Sequence, residues 1–249
     1  MTLLTRCASA EELQDHVEDI DAACDLSKVG GLPALLGTIG GSPHASLRAL
    51  AAEVVATAVQ NNPKAQQALL DAGALDCVLR LARSDVDAGA RLKGLFAVSS
   101  LVRQFPPSHA PFRLGDGFGL LRASMADEDP RIQRRAFLLA RHFASTCDAH
   151  LDTMVQLGFI RAGAAALLSP KRDVRESALG MLLDVARHVD FQALPAALDD
   201  FRHPALATRL HALRSALAEE EEAGAEERDL ADRLARMLAP GGASDAAEE

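Results

Sequence analysis

Tryptophan and tyrosine are absent from this chain, and phenylalanine, at nine residues in 249, is its only aromatic. Strand-rich folds lean on aromatic and β-branched side chains, so this scarcity argues against a β architecture. Only four cysteines occur, Cys7, Cys24, Cys77 and Cys147, far apart and without paired spacing. That excludes a zinc motif and a dense disulfide framework and predicts reduced, packed thiols. No apolar run approaches the roughly 20 residues a membrane span requires. The opening Met1-Thr2-Leu3-Leu4-Thr5-Arg6 lacks the apolar core of a secretory signal, so a cytoplasmic protein is expected. Positive charge is also short: a net charge of −9 argues against nucleic acid as the main partner.

What is abundant is alanine and leucine, the residues that lose least on entering a helix. Glycine followed by an apolar segment recurs at Gly31, Gly73, Gly117 and Gly158, at intervals of 42, 44 and 41 residues. Helical arrays of the armadillo and HEAT types repeat at about 40–47 residues. Each unit continues through a polar break: Gly41-Ser42-Pro43, Ser84-Asp85-Val86-Asp87, Asp127-Glu128-Asp129-Pro130 and Ser169-Pro170-Lys171-Arg172. Asp and Ser cap free amides there and Pro fixes φ, so each break starts a new helix. The helices that follow carry helical-period apolar stripes. Examples are Leu47, Leu50, Ala51, Val54, Val55 and Ala58, or Leu92, Leu95, Phe96, Ser99 and Val102. Ile132, Ala136, Leu139, Ala140 and Phe143 continue the series, as do Val174, Ala178, Met181, Leu182, Val185 and Val189. One unit cannot cover its own stripe, but stacked neighbours can. Three helices per unit predict an all-α, right-handed armadillo-like solenoid of about four repeats with helical caps. The expected boundaries are a cap over 1–30, repeats over 31–203, a charged helical segment over 204–239 and a disordered acidic tail over 240–249.

Chemistry is not legible. The eight histidines form no ligand-spaced cluster and read as partly exposed helix residues. Gly115-Asp116-Gly117-Phe118-Gly119 lacks dinucleotide-loop spacing and reads as a turn between helices. No catalytic, metal or cofactor site is expected, and the chain is not read as an enzyme. Basic residues recur instead along successive long helices: Arg91, Lys93 and Arg103, then Arg131, Arg134, Arg135 and Arg141, then Lys171, Arg172 and Arg175. They suggest a basic stripe on a concave face, suited to an acidic partner surface.

Specific wording along the repeats carries a resemblance. Val17-Glu18-Asp19-Ile20-Asp21-Ala22-Ala23-Cys24-Asp25-Leu26 with Val29-Gly30-Gly31-Leu32, then Gln60-Asn61-Asn62-Pro63, lie in order along the chain. Lys93-Gly94-Leu95-Phe96-Ala97 and Arg134-Arg135-Ala136-Phe137-Leu138 follow in register. The chain resembles the Fes-type armadillo nucleotide exchange factors of 70-kDa heat-shock chaperones. That resemblance implies a monomeric co-chaperone that grips one lobe of the chaperone's ATPase domain, opens the nucleotide cleft and lets ADP leave. It implies partner contacts at Ala23 and Arg135, with Asp21, Asn61, Asn62, Arg91, Lys93, Arg103, Arg134 and Arg175 as further candidates; the alternative roles of Asn61 and Asn62 are caps of the helix that ends before Pro63. Two departures stand out. Cys24 replaces the family's asparagine, and only about a dozen residues precede the first motif, where relatives carry a substrate-releasing extension. The alternative function is an armadillo adaptor that binds a peptide or protein in its groove without exchange activity.

Overall fold

The computed structural model describes residues 30–146, 150–189, 195–219 and 224–239, all placed in helices, turns or short connections. The expected N-terminal cap and acidic tail, and with them Asp21 and Ala23, lie outside the described residues. The chain forms two compact units, Met1–Leu120 and Leu121–Glu249.

In the first unit, α1 (Gly31–Gly41) and α2 (Ala45–Ala58) are followed by α3 (Pro63–Asp71), α4 (Ala74–Ser84) and α5 (Ala88–Val102). A 3₁₀ turn (Pro106–Ser108) and α6 (His109–Leu114) lead to α7 (Gly117–Ser124), which crosses the boundary. The long helices α2 and α5 pack side by side, as do the medium ones α1 and α4. The second unit repeats this plan with α8 (Pro130–Thr146), α9 (Leu151–Gln156), α10 (Phe159–Ala166) and α11 (Arg172–His188). α12 (Pro195–Arg202), at the end of the expected repeats, is followed in the expected charged segment by α13 (Pro204–Glu219) and α14 (Ala225–Leu238). There α8, α11 and α14 are the long helices in sequence, each packed on the next.

The predicted stripes form the cores. Those of α8 and α11 are buried throughout. In α2 and α5 the burial is wider but shifted: Leu50, Leu92 and Phe96 are only half-buried, while Ala52, Ala56, Ala97, Val98 and Leu101 are buried. Small residues reach the interior where a long helix approaches the medium helix before it, as α5 approaches α4. At Gly94 an added Cβ would lie 2.8 Å from the backbone nitrogen of Ala82.

The register is more regular than the glycines suggested. Left-handed backbone occurs at Gly30, Gly73, Asp116 and Gly158, not at Gly31 or Gly117, giving intervals of 43, 43 and 42 residues. In the third unit Asp116 takes the left-handed φ of 55°, a role Asp tolerates better than most residues. Gly117 is a glycine for a different reason: a Cβ there would stand 2.3 Å from the ring of Phe112. Phe112 is itself held edge-on to Phe118, with ring centroids 5.2 Å apart. Of Gly115-Asp116-Gly117-Phe118-Gly119, expected as an inter-helix turn, Gly115 and Asp116 form the turn and Gly117-Phe118-Gly119 open α7. No described helix is long and apolar enough to cross a membrane.

Candidate partner-binding surface

The polar break before each long helix is the same device built four times. The side chains of Ser42, Asp85, Asp127 and Ser169 accept hydrogen bonds from the backbone N–H two residues on, at His44, Asp87, Asp129 and Lys171. These turns satisfy groups that the helix start leaves open. Each of the four residues also offers its carbonyl to a side chain six positions later. Arg48 donates to Ser42 O at 2.8 Å, Arg91 to Asp85 O at 3.2 Å, Gln133 to Asp127 O at 2.6 Å and Arg175 to Ser169 O at 2.9 Å. The clamp recurs every 43, 42 and 42 residues (48 to 91, 91 to 133, 133 to 175).

Two of the clamps also tie one long helix to the next unit of its own compact half. Arg48 holds the Asp85 carboxylate through both ends of its guanidinium, at 2.6 and 2.7 Å. This hydrogen bonding outweighs burial and holds the Asp85 carboxyl below the usual carboxylate range. Arg175 holds Glu227 the same way, at 2.5 and 3.0 Å. A planar fork suits this bidentate grip, which an ammonium could not reproduce.

These contacts give residues of the expected basic stripe partners within the chain. Arg91 and Arg175 are clamp residues bonded to their own turns. Lys93 is paired with Glu53 across α2 and α5. Arg141 is paired with Asp184 across α8 and α11 at 2.9 Å, its guanidinium lying over Gly180. Arg131 turns back to Asp129, whose carboxyl its hydrogen bonds hold below the usual range. Of the other candidates, Arg135 is half-buried in α8. Arg103, just past α5, and Arg134, on α8, are exposed and make no side-chain hydrogen bond or ion pair among the described residues.

The Gln60-Asn61-Asn62-Pro63 motif has a local structural role. Asn61 takes a left-handed φ of 53° after α2, and Gln104 repeats it at 55° after α5. Asn62 does not close the preceding helix. It is 3% exposed and caps the start of α3, its Oδ1 accepting from Ala65 N at 3.1 Å, with Pro63 at the first helical position. Asn62→Ala is accordingly expected to lower the unfolding free energy by about 1 kcal/mol, read as a smaller urea midpoint at unchanged slope.

The histidines hold one surprise. His150 is buried, its ring edge-on to Phe143 with centroids 5.2 Å apart, where the sequence suggested a partly exposed residue. Among the described residues no group of three or more His, Cys, Asp or Glu is placed to hold a metal. Cys77 is buried and reduced, its thiol donating weakly to Leu36 O and pushed up in pKa chiefly by burial. The residues missed from sequence are Arg48, Glu53, Asp85, Gln133 and Glu227. For Arg48 and Gln133 a signal was available, a long polar side chain six positions after Ser42 or Asp127; the pairings of Glu53, Asp85 and Glu227 span 40, 37 and 52 positions and left none.

Comparison with known proteins agrees with this architecture. Residues 22–139 match the family model described as SIL1/FES1/HPBP1 C-terminal domain. The chain is 28% identical over 230 residues to the Hsp70-binding protein 1 of Homo sapiens, covering 92% of this chain and 63% of the relative. It is 31% identical over 139 residues to the Hsp70 nucleotide exchange factor FES1 of Mycosarcoma maydis, covering 55% of this chain and 35% of the relative. It thus spans less than two thirds of the length of these relatives. A designed armadillo repeat protein in complex with the peptide (KR)4 superposes with a TM-score of 0.76 at 13% identity, covering 93% and 92% of the two chains. The fold is therefore the armadillo-like helical array expected from the repeat. The ordered motifs from Val17 onward, the repeat register and the domain match point the same way: over residues 22–139 the chain is similar to the SIL1/FES1/HPBP1 C-terminal domain.

Proposed function

We propose that this chain is a nucleotide exchange factor: a monomeric, cytosolic co-chaperone that binds the ATPase domain of a 70-kDa heat-shock chaperone and promotes ADP release. The observation that carries this reading is the match of residues 22–139 to the exchange-factor domain family, continued at 28% identity across 230 residues of an Hsp70-binding relative. The physical requirement is modest. A rigid surface that binds the open form of the nucleotide cleft better than the closed form shifts the population toward release. No catalytic group and no cofactor is needed.

Candidate contacts differ in what they offer. Arg103 and Arg134 present exposed guanidiniums suited to acidic partner groups, whereas Arg91, Lys93 and Arg175 already bond within the chain, to Asp85 O, Glu53 and Glu227. Ala23 and Arg135 are the positions the family resemblance singles out.

Stopped-flow release of fluorescent ADP from the chaperone's ATPase domain tests the proposal. Micromolar chain is expected to speed release at least tenfold. Binding without acceleration would support the adaptor reading, and a folded chain with neither binding nor acceleration would exclude both. Ala23→Arg combined with Arg135→Ala is expected to abolish chaperone capture while the helical circular dichroism persists.

A further inference from the structure

The last long helix is attached differently from the others. Of α14 (Ala225–Leu238), the buried residues are Glu227, Ala231 and Leu234, so only two apolar side chains are fully covered. By contrast α11 buries Val174, Ala178, Leu179, Met181, Leu182 and Val185 among others. A charge is buried in the α11–α14 contact, in the first turn of both helices. The Glu227 carboxylate is 0% exposed and accepts from Arg175 Nε and Nη2 at 2.5 and 3.0 Å, with Arg172 Nε at 3.8 Å.

The surroundings are crowded with like charge. Asp173 and Glu176 of α11 meet Glu226 and Glu227 of α14, four carboxylates against the guanidiniums of Arg172 and Arg175. Burial first, and then the neighbouring Glu226, Glu227 and Asp173, hold the Glu176 carboxyl above its usual range. Gly224 closes onto the same patch: a Cβ there would lie 3.5 Å from Glu176 Oε1 and 3.6 Å from Arg172 Cδ.

A buried ion pair gains little net stability, because desolvation nearly cancels the attraction, yet losing one partner is costly. Elements with few buried apolar contacts open below the global unfolding free energy. We infer that α14 is a releasable helix, pinned to α11 by the Arg175–Glu227 pair and to α13 by the more exposed Arg214–Asp232 pair, that undocks as one unit while α8 and α11 stay folded. This conformational device does not depend on the proposed exchange activity.

Hydrogen–deuterium exchange on the full chain reads it directly. At neutral pH the α14 amides are expected to share one opening at least tenfold more frequent than that of α8 and α11. Glu227→Gln is expected to speed α14 exchange about tenfold further and leave α8 and α11 unchanged. Exchange of α14 in step with α11 in the unaltered chain would overturn the inference. So would a Glu227→Gln variant that speeds all three helices alike, or none. If that variant does not fold, the ordering of α14 against α11 in the unaltered chain decides alone.

Discussion

Asp85→Ala is expected to lower the unfolding free energy by about 3 kcal/mol. The Asp85 side chain is 6% exposed and that of Arg48 14%, so truncation leaves a guanidinium with little access to water and no counter-charge. The turn loses its support as well, because Asp85 Oδ1 also accepts the N–H of Asp87. The pH dependence separates this pair from a packing effect. The native carboxyl titrates below the usual carboxylate range, so the unfolded chain binds the proton more readily. The stabilisation is therefore fully present above the unfolded pKa of about 3.9 and disappears as pH falls through the lower native value. Urea unfolding of the two proteins should differ widely at pH 7 and converge in strong acid. A gap that stays constant down to the acid limb would mean that packing, not charge, sets the loss.

Gly94→Val is expected to cost about 3 kcal/mol, through overpacking instead of lost contact. The Cβ alone would meet Ala82 N at 2.8 Å and Ala82 Cα at 3.1 Å, and backbone cannot move aside as a flexible side chain can. The added methyls would push α5 away from α4 along a contact lined by Ala82, Leu95 and Val98, all buried. Thermal unfolding followed at 222 nm should show a lower midpoint. The absence of tryptophan and tyrosine makes absorbance at 280 nm a poor measure of concentration, so amide absorbance is the better reference.

Most of the fold was readable from one dimension of the chain. Helix period and polar breaks follow from local rules that a sequence states openly, and the four breaks do start four long helices. The glycine register was misread by a residue or two because left-handed backbone is not confined to glycine. Asp116 takes it at a position where Gly117, next door, answers a steric demand from Phe112. The candidate surface was less legible. A basic side chain on a long helix looks the same in sequence whether it faces solvent or its own turn. Arg175 and Arg134 differ only in what lies within reach, Glu227 and Ser169 O for one, water for the other. Glu227 lies in the segment expected only as a charged helix, yet it is fully enclosed, and the pairing that encloses it spans 52 positions.

The turn clamp has a consequence for how such arrays can be rearranged. Residues 42, 85, 127 and 169 occupy one register, but only Asp85 and Asp127 bring a carboxylate to it. Arg48 demands an acid at that place in whichever unit follows. Joining the first unit directly to the third would present Asp127 and keep the grip. Joining it to the fourth would present Ser169 and strand the guanidinium. The units are thus not interchangeable beads. Arg48 and Arg175 each carry half of a lock whose other half is written 37 and 52 residues downstream, and that grammar limits which duplications, deletions and grafts the chain can survive.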